Sequence, residues 1–332
     1  MANNILEVNN LVTTFKTERG PMKAVDGVSF HVEEGEIVGL VGESGCGKSV
    51  TSQSIMRLYD EKHQVSYSGN VMFNGTDLLS LSEKEMQGIR GKEITMVFQD
   101  ALSALNPVFT VGDQIMEALI IHQGMKKPEA KKQATEMLRL VGIPSPEERM
   151  KAYPHELSGG MRQRVMIAIA LCCHPKLLIA DEPTTALDVT IQAQIMDLIV
   201  ELNKKLNMGV ILITHDLSVI AETCSRVAVM YLGQIVEEAD VNTIFDNPMH
   251  PYTRGLLRSL PSVDGEKKDR LYVIDGMVPL LSQIPTGCRF GPRCPYADEA
   301  CLSSEQELCS VDGATHLVRC RKSAQFKDKA VI

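Results

Sequence analysis

No apolar run in the chain approaches the roughly 18–20 residues that a helix needs to cross a bilayer, so any membrane role must come through partner chains. The start of the chain also lacks a charged-then-apolar leader, since Met1-Ala2-Asn3-Asn4 passes straight into the strand-like Ile5-Leu6-Glu7-Val8. A soluble, cytoplasmic protein is therefore expected. Positive charge is in short supply: 34 Lys and Arg face 42 Asp and Glu, for a formal net charge of −8. That balance argues against a nucleic-acid binder, which usually presents a basic face. There is no internal repeat, no low-complexity tract and no sustained heptad pattern, which sets aside solenoids, linkers and long coiled coils. What remains is an ordinary globular chain of 332 residues, 44% hydrophobic and 23% charged, long enough for one large domain or two smaller ones around an ample core.

Four short apolar runs end in a polar residue or glycine: Glu36–Gly42, Ile94–Gln99, Leu177–Asp181 and Gly209–His215. Runs apolar on both faces read as buried parallel strands, with their polar ends where α/β sheets bind ligands. Helix-period stretches such as Lys127–Val141 and Thr190–Leu206 lie between them, so the fold class is α/β. Residues 100–156 break the rhythm with several helical patterns and no convincing strand, and read as a helical insertion. Val227–Leu232 and Gln234–Glu237 read as two short strands around Gly233. After about Val241 the periodicity fades and Pro, Gly and Cys increase, marking a C-terminal extension.

Gly42-Glu43-Ser44-Gly45-Cys46-Gly47-Lys48-Ser49 fits the pattern G-x-x-x-x-G-K-[ST], after a strand and before a helix. The glycines let backbone N–H groups turn inward around a β-phosphate, Lys48 reaches the β/γ oxygens, and the Ser49 hydroxyl takes Mg²⁺. A chance match is expected in on the order of one per cent of chains this long, and the strand–loop–helix context lowers that further. Asp181, at the end of the buried run Leu177–Asp181, is placed to hold the metal through water. Glu182, one residue on, can polarise the attacking water as a general base. Alone, an apolar run ending in Asp-Glu is weak and fits an ordinary strand end; beside the phosphate loop it becomes strong.

Leu157-Ser158-Gly159-Gly160-Met161-Arg162-Gln163-Arg164 opens a helix that runs to Pro175. Ser158 caps it, and two glycines leave its first N–H groups open as a second anion site. One chain has little use for two such γ-phosphate sites, so the second is read as serving the ATP of a facing subunit.

At this segment the sequence resembles the ABC ATPase family, whose signature is LSGGQ-like; Met161 stands where the family more often has Gln. The resemblance covers about Ile5 to Asp240 with the motifs in order. It implies a P-loop NTPase core with a RecA-like sheet, an antiparallel N-terminal β region, a helical subdomain at about residues 100–158, and hydrolysis of ATP with Mg²⁺. By resemblance, ATP is contacted by Phe15 (stacked on adenine), by Gly42 through Val50, and by Ser158, Gly159, Gly160 and Asp188. Lys48, Gln99, Glu182 and His215 carry catalysis, with His215 on the γ-phosphate, and Ser49, Gln99 and Asp181 surround the Mg²⁺. Gln99 also senses the transporter, and Ala186-Leu187-Asp188 crosses the dimer interface. Each has a plainer reading, Phe15 as core packing and Gln99 and His215 as solvated strand ends. Their spacing relative to the two phosphate-binding motifs favours the functional one.

The nine cysteines are unevenly spread. Cys46 reads as a small filler of the loop, and Cys172, Cys173 and Cys224 as core. Cys288, Cys294, Cys301, Cys309 and Cys320 crowd the tail, and in a reducing cytoplasm they read first as a metal site. The tail segments His250–Leu257, Ser259–Pro261, Gly276–Leu280, Pro285–Pro295 and His316–Cys320 resemble those of peptide- and nickel-permease ATPases, in particular the dipeptide/oligopeptide branch. Some members of that branch hold a [4Fe–4S] cluster on four tail cysteines, and the matching positions are Cys288, Cys294, Cys301 and Cys320. Cys309 has no counterpart and is a bystander or a substitute ligand. Zinc is disfavoured by spacings wider than paired C-x₂-C, yet it stays open, as do free thiols.

The expectation is thus a nucleotide-binding domain over residues 1–240 and a permease-type extension over 241–332. The chain would power import of di- or oligopeptides from the cytoplasmic face of the membrane. The partners implied are a second, homologous ATPase, two transmembrane permease subunits and, indirectly, an extracytoplasmic binding protein, with no nucleic acid. An ATPase for nickel or another small solute, or an ABC ATPase outside transport, are the alternatives.

Overall fold

Buried apolar runs become strands and the amphipathic stretches between them become helices. The computed structural model describes residues 3–18, 20–100, 104–185, 187–260, 272–311, 313 and 315–329. In chain order the first elements are strands β1 (Asn4–Thr17), β2 (Gly20–Glu33) and β3 (Ile37–Val41), helix α1 (Lys48–Ile55), and strands β4 (Val65–Phe73) and β5 (Thr76–Asp77). Next come α2 (Glu83–Ile89), β6 (Ile94–Val97), α3 (Val111–Gln123), α4 (Lys127–Leu140), α5 (Pro146–Arg149), α6 (Gly159–Leu171), β7 (Leu177–Asp181), α7 (Val189–Leu206) and β8 (Gly209–Thr214). The last are α8 (Leu217–Thr223), β9 (Arg226–Tyr231), β10 (Gln234–Asp240), α9 (Val241–Asp246), α10 (Pro251–Arg258), α11 (Glu299–Ser303), β11 (Cys309–Ser310) and β12 (Leu317–Val318).

These elements group into two compact units. One comprises Met1–Leu6, Val32–Ile37 and Phe73–Ile213; the other comprises Glu7–His31, Val38–Met72 and Thr214–Ile332. In the first, β6, β7 and β8 are parallel neighbours, with Ile94 opposite Leu177 and Leu177 opposite Gly209. Every residue of these three strands is buried, as a parallel sheet covered on both faces requires. The helical stretch holds no strand among its described residues. Its helix α4 buries Ala130, Ala134, Met137 and Leu138, a stripe at i, i+4, i+7 and i+8 that gives it one inward face. Helix α7 does the same with Ile195, Leu198, Ile199 and Leu202, starts on an Asp188 cap and stops at Asn207 in the left-handed region. Each large aliphatic chain so buried contributes about 1.5–3 kcal/mol.

In the second unit β1 lies between β2 and β4. A separate run of strands has the order β11-β12-β10-β9-β3. There β3 and β9 are parallel, with Val38 opposite Arg226, and the remaining pairs are antiparallel. The chain near its end therefore adds to the sheet, Val318 facing Glu237. Strand β10 carries two successive buried carboxylates, Glu237 and Glu238. Glu237 accepts the N–H groups of Met249 (2.6 Å) and His250 (3.0 Å) and pairs with His316 Nε2 at 2.8 Å. Glu238 pairs with Arg226, whose guanidinium also donates to the His31 carbonyl at 2.6 Å. Each charge is met by hydrogen bonds, the condition under which burial is tolerable.

Candidate nucleotide site and a cysteine-lined cavity

Strand β3 runs into the loop of residues 42–47 and on into α1, so the fully buried strand fixes one side of the loop and the helix start the other. Two glycines are there because nothing larger fits. A Cβ on Gly42 would lie 2.2 Å from the Met230 carbonyl oxygen, and one on Gly47, at φ 109°, would lie 2.8 Å from that of Ala24. Gly47 is also the N-cap of α1 and offers no side-chain acceptor to the first N–H groups of the helix. Such a helix start attracts anions. Lys48 is buried, and its ammonium turns back on the Gly42 and Glu43 carbonyls at 2.8 and 3.2 Å. Cys46 is buried beneath the loop, where burial raises its thiol pKa despite the Lys48 charge; it fills space. Ser44 and Gly45 form the exposed crown, with Ser49 and Val50 half-buried behind.

At the end of β7, Asp181 is 4% exposed. Glu182 follows at φ 46°, in the left-handed region that a non-glycine residue enters at a cost of about 1–3 kcal/mol. Its N–H donates to the Ile213 carbonyl, and its Oε2 accepts from Gln99 Nε2 and from Thr185 Oγ1, each at 2.9 Å. Two residues singled out separately in the sequence, Gln99 beyond β6 and Glu182 beyond β7, are thus in direct contact.

Ser158 caps α6, its Oγ accepting the Met161 N–H at 3.3 Å. Ser158 and Gly159 are exposed. Gly160 allows α6 to sit close to α7, since a Cβ there would lie 2.8 Å from Ile191 Cγ2. Asp188 caps α7 by accepting the Ile191 N–H at 3.0 Å; Ala186, of the same segment, lies outside the described residues. Phe15 is half-buried with its ring edge-on to Tyr59, centroids 5.0 Å apart. His215 is exposed just past β8.

In the second unit, Cys288, Cys294, Cys301 and Cys320 line one small cavity together with Phe290, Tyr296 and His250. The Cys288 N–H donates to the Cys301 carbonyl at 2.7 Å, and the Cys301 N–H to Asp298 at 2.9 Å, which fixes the approach of Cys288 and Cys301. Burial raises the thiol pKa values of Cys288 and Cys294 and pushes that of Cys320 up to about 11, with repulsion from neighbouring cysteines a smaller contribution. Among the described residues no group of three or more His, Cys, Asp or Glu side chains converges on a single metal ion. Cys309 is exposed on β11 and does not line the cavity; Cys172, Cys173 and Cys224 are buried.

Two side chains against the phosphate loop, and a third against the strands beside it, escaped the sequence reading. The Tyr252 hydroxyl accepts the Glu43 N–H at 2.8 Å. Arg293 grips the Glu43 carboxylate with both terminal nitrogens, at 2.7 and 3.0 Å. Arg289 pairs with Asp26 and donates to the Leu232 carbonyl, and the neighbouring Gly233 N–H donates to the Cys46 carbonyl at 2.7 Å. Their segments stood out only as markers of a branch, and no local pattern announces contacts made across some 250 residues.

A buried strand that ends in a glycine-turned loop and a helix start without a side-chain cap has the build of a phosphate-loop nucleotide-binding protein. Comparison with known proteins narrows this. Residues 25–185 match the ABC transporter family model, and residues 236–301 match that of the oligopeptide/dipeptide transporter C-terminal region. The oligopeptide transport ATP-binding protein AppD of Bacillus subtilis (strain 168) is 54% identical over 92% of each chain. The dipeptide transport ATP-binding protein DppD of Escherichia coli (strain K12) is 52% identical over 92% of each. Among solved structures, the dimeric ATP-binding cassette MJ0796 bound to ADP and Pi superposes with a TM-score of 0.64 at 30% identity, over 71% of this chain and 98% of the other. The chain belongs to the ABC transporter family as an ATP-hydrolysing subunit of the dipeptide/oligopeptide transport branch. No helix among its described residues is long and apolar enough to cross a membrane.

Proposed function

We propose that the chain powers import of di- or oligopeptides by hydrolysing ATP at the cytoplasmic face of the membrane. In this reading residues 1–240 are the nucleotide-binding domain and residues 241–332 a Cys-rich extension. The backbone N–H groups of residues 42–47 and the start of α1 cradle the phosphates, with Phe15 against the base and Val50 beside the loop. Lys48 exchanges its two loop carbonyls for phosphate oxygens. By resemblance, Ser49, Gln99 and Asp181 would serve the Mg²⁺, whose part is charge neutralisation on the phosphates. Glu182 takes the proton of the attacking water, and His215 steadies the γ-phosphate. A second, homologous ATPase contributes its own Ser158–Gly160 helix start and Asp188 loop, and in return receives those of this chain. Two permease subunits carry the peptide, delivered by a binding protein outside.

The contact between Gln99 and Glu182 supports this reading most directly. An amide that holds the general base can also answer to a metal ion or a permease, and so couples hydrolysis to transport. Glu182→Gln tests it. The variant is expected to bind ATP as the parent does, while ATP hydrolysis by the assembled transporter falls at least about 100-fold. Turnover at the parent rate would remove Glu182 from the role of base.

The four cavity cysteines support the further reading that the extension holds a [4Fe–4S] cluster. The irons of such a cluster sit apart and take one thiolate each. Four thiols around a common cavity offer one for each iron. Cys288, Cys294, Cys301 and Cys320 would hold it, and Cys309 would not. Protein purified without oxygen should carry iron and acid-labile sulfide in equal amounts, and Cys320→Ser should lose both while Cys309→Ser keeps them. Stoichiometric zinc, or no metal at all, would overturn the cluster.

A further inference from the structure

Glu43 stands at an odd place for an anion. It is the second residue of a loop whose whole construction, glycine turns, inward N–H groups and a buried lysine, favours negative phosphate. A free carboxylate there would oppose the triphosphate, since two negative charges a few ångströms apart near a protein surface repel each other.

Glu43 is not free. Arg293 meets it with a two-pronged ion pair, and the guanidinium is itself held from every side: Nε donates to the Asp275 carbonyl at 3.0 Å, a terminal nitrogen to that of Ile274 at 3.3 Å, and the plane lies over the Tyr231 ring. The Arg293 side chain is 5% exposed and that of Glu43 30%. Such a fork is the geometry in which arginine neutralises a carboxylate most completely. Glu43 Oε1 and Oε2 are both engaged, so the side chain is drawn toward the C-terminal segment. Its N–H is meanwhile fixed by the Tyr252 hydroxyl. Arg293 comes from the short turn between Cys288 and Cys294.

We propose that Arg293 is a positioning residue for nucleotide binding: it neutralises Glu43 and holds it off the phosphate loop, so that ATP affinity depends on the cysteine-bearing segment. This rests on the reading of residues 42–49 as the phosphate cradle. The pairing predicts a sign that mere structural support does not. If Arg293 acts by cancelling Glu43, its loss harms binding only while Glu43 keeps its charge.

The test is calorimetric titration of the full-length chain with a non-hydrolysable ATP analogue and Mg²⁺. Arg293→Ala is expected to raise Kd about 10-fold, the order that an unmasked charge beside a bound anion produces. In the Glu43→Gln background the same Arg293→Ala change should move Kd by less than about threefold. Unchanged binding by Arg293→Ala, or an Arg293→Ala effect as large in the Glu43→Gln background as in the parent, overturns the proposal. If Arg293→Ala does not fold, Arg293→Gln, which keeps much of the side chain without its charge, is carried through the same two backgrounds and read in the same way. A parent chain that binds no nucleotide would instead fail the cradle reading and leave the pair as a structural contact.

Discussion

Glu237 has no exposed surface, yet it carries three donors: two backbone N–H groups that begin the segment into α10, and the His316 imidazole from the far end of the chain. One carboxylate therefore pins the stretches around residues 249–250 and 316 to β10. Glu237→Ala would leave all three donors buried and unpaired, the situation in which removing one member of a buried pair costs about 3–5 kcal/mol. The expected result is a large fall in the denaturant midpoint of the second unit, with an earlier loss of structure around residues 249–258 in hydrogen exchange. Glu237→Gln keeps two acceptor sites and should recover a good part of the loss. Neither effect could be read from Gln234–Asp240 alone. Two consecutive glutamates suggest a solvated strand end, and only the return of residues 316–318 makes them interior.

At the scale of elements, much of the molecule was legible where one physical signal dominated. Buried parallel strands must be apolar on both faces, so β3, β6, β7 and β8 were visible as runs, with ends within two residues of those observed. The cap at Ser158 and the glycine-turned loop of residues 42–47 were legible because a helix start needs an acceptor or an anion, and few residue types supply either. Strands β11 and β12, two residues each, carry no periodicity, and the grip of Arg293 on Glu43 of the loop depends on a distant contact. The exposed start of α6 permits a prediction at this scale. Ser158→Ala removes the Met161 cap and should cost about 1 kcal/mol of local helix stability. If the start of α6 also closes on the ATP of the facing subunit, hydrolysis by the assembled transporter should fall about 10-fold or more. The affinity of the lone chain for nucleotide should not change, and a parallel loss of both would mean that Ser158 serves only its own fold.

For the whole molecule the decisive quantity is the balance between one chain and two. In the proposed reading the chain brings two phosphate-binding helix starts, α1 behind the glycine loop and α6 behind Ser158, and one bound triphosphate needs one of each. Exchange between two subunits would satisfy both, and ATP would then become part of the interface, its charge met from two sides only when the subunits close. Stability of the dimer is then linked to nucleotide by mass action, so it should rise with ATP and vanish on hydrolysis. Glu182→Gln, which stops the clock at the bound state, makes this measurable. In sedimentation velocity, the Glu182→Gln chain mixed with a likewise blocked partner ATPase should sediment as a dimer with ATP and Mg²⁺ and as separate chains with ADP. Adding Ser158→Arg to both, which fills the open start of α6 with a bulky side chain, should return the ATP sample to separate chains. A dimer of equal strength with ATP, ADP or no nucleotide would mean that the subunits associate through other surfaces and that the nucleotide is not what joins them.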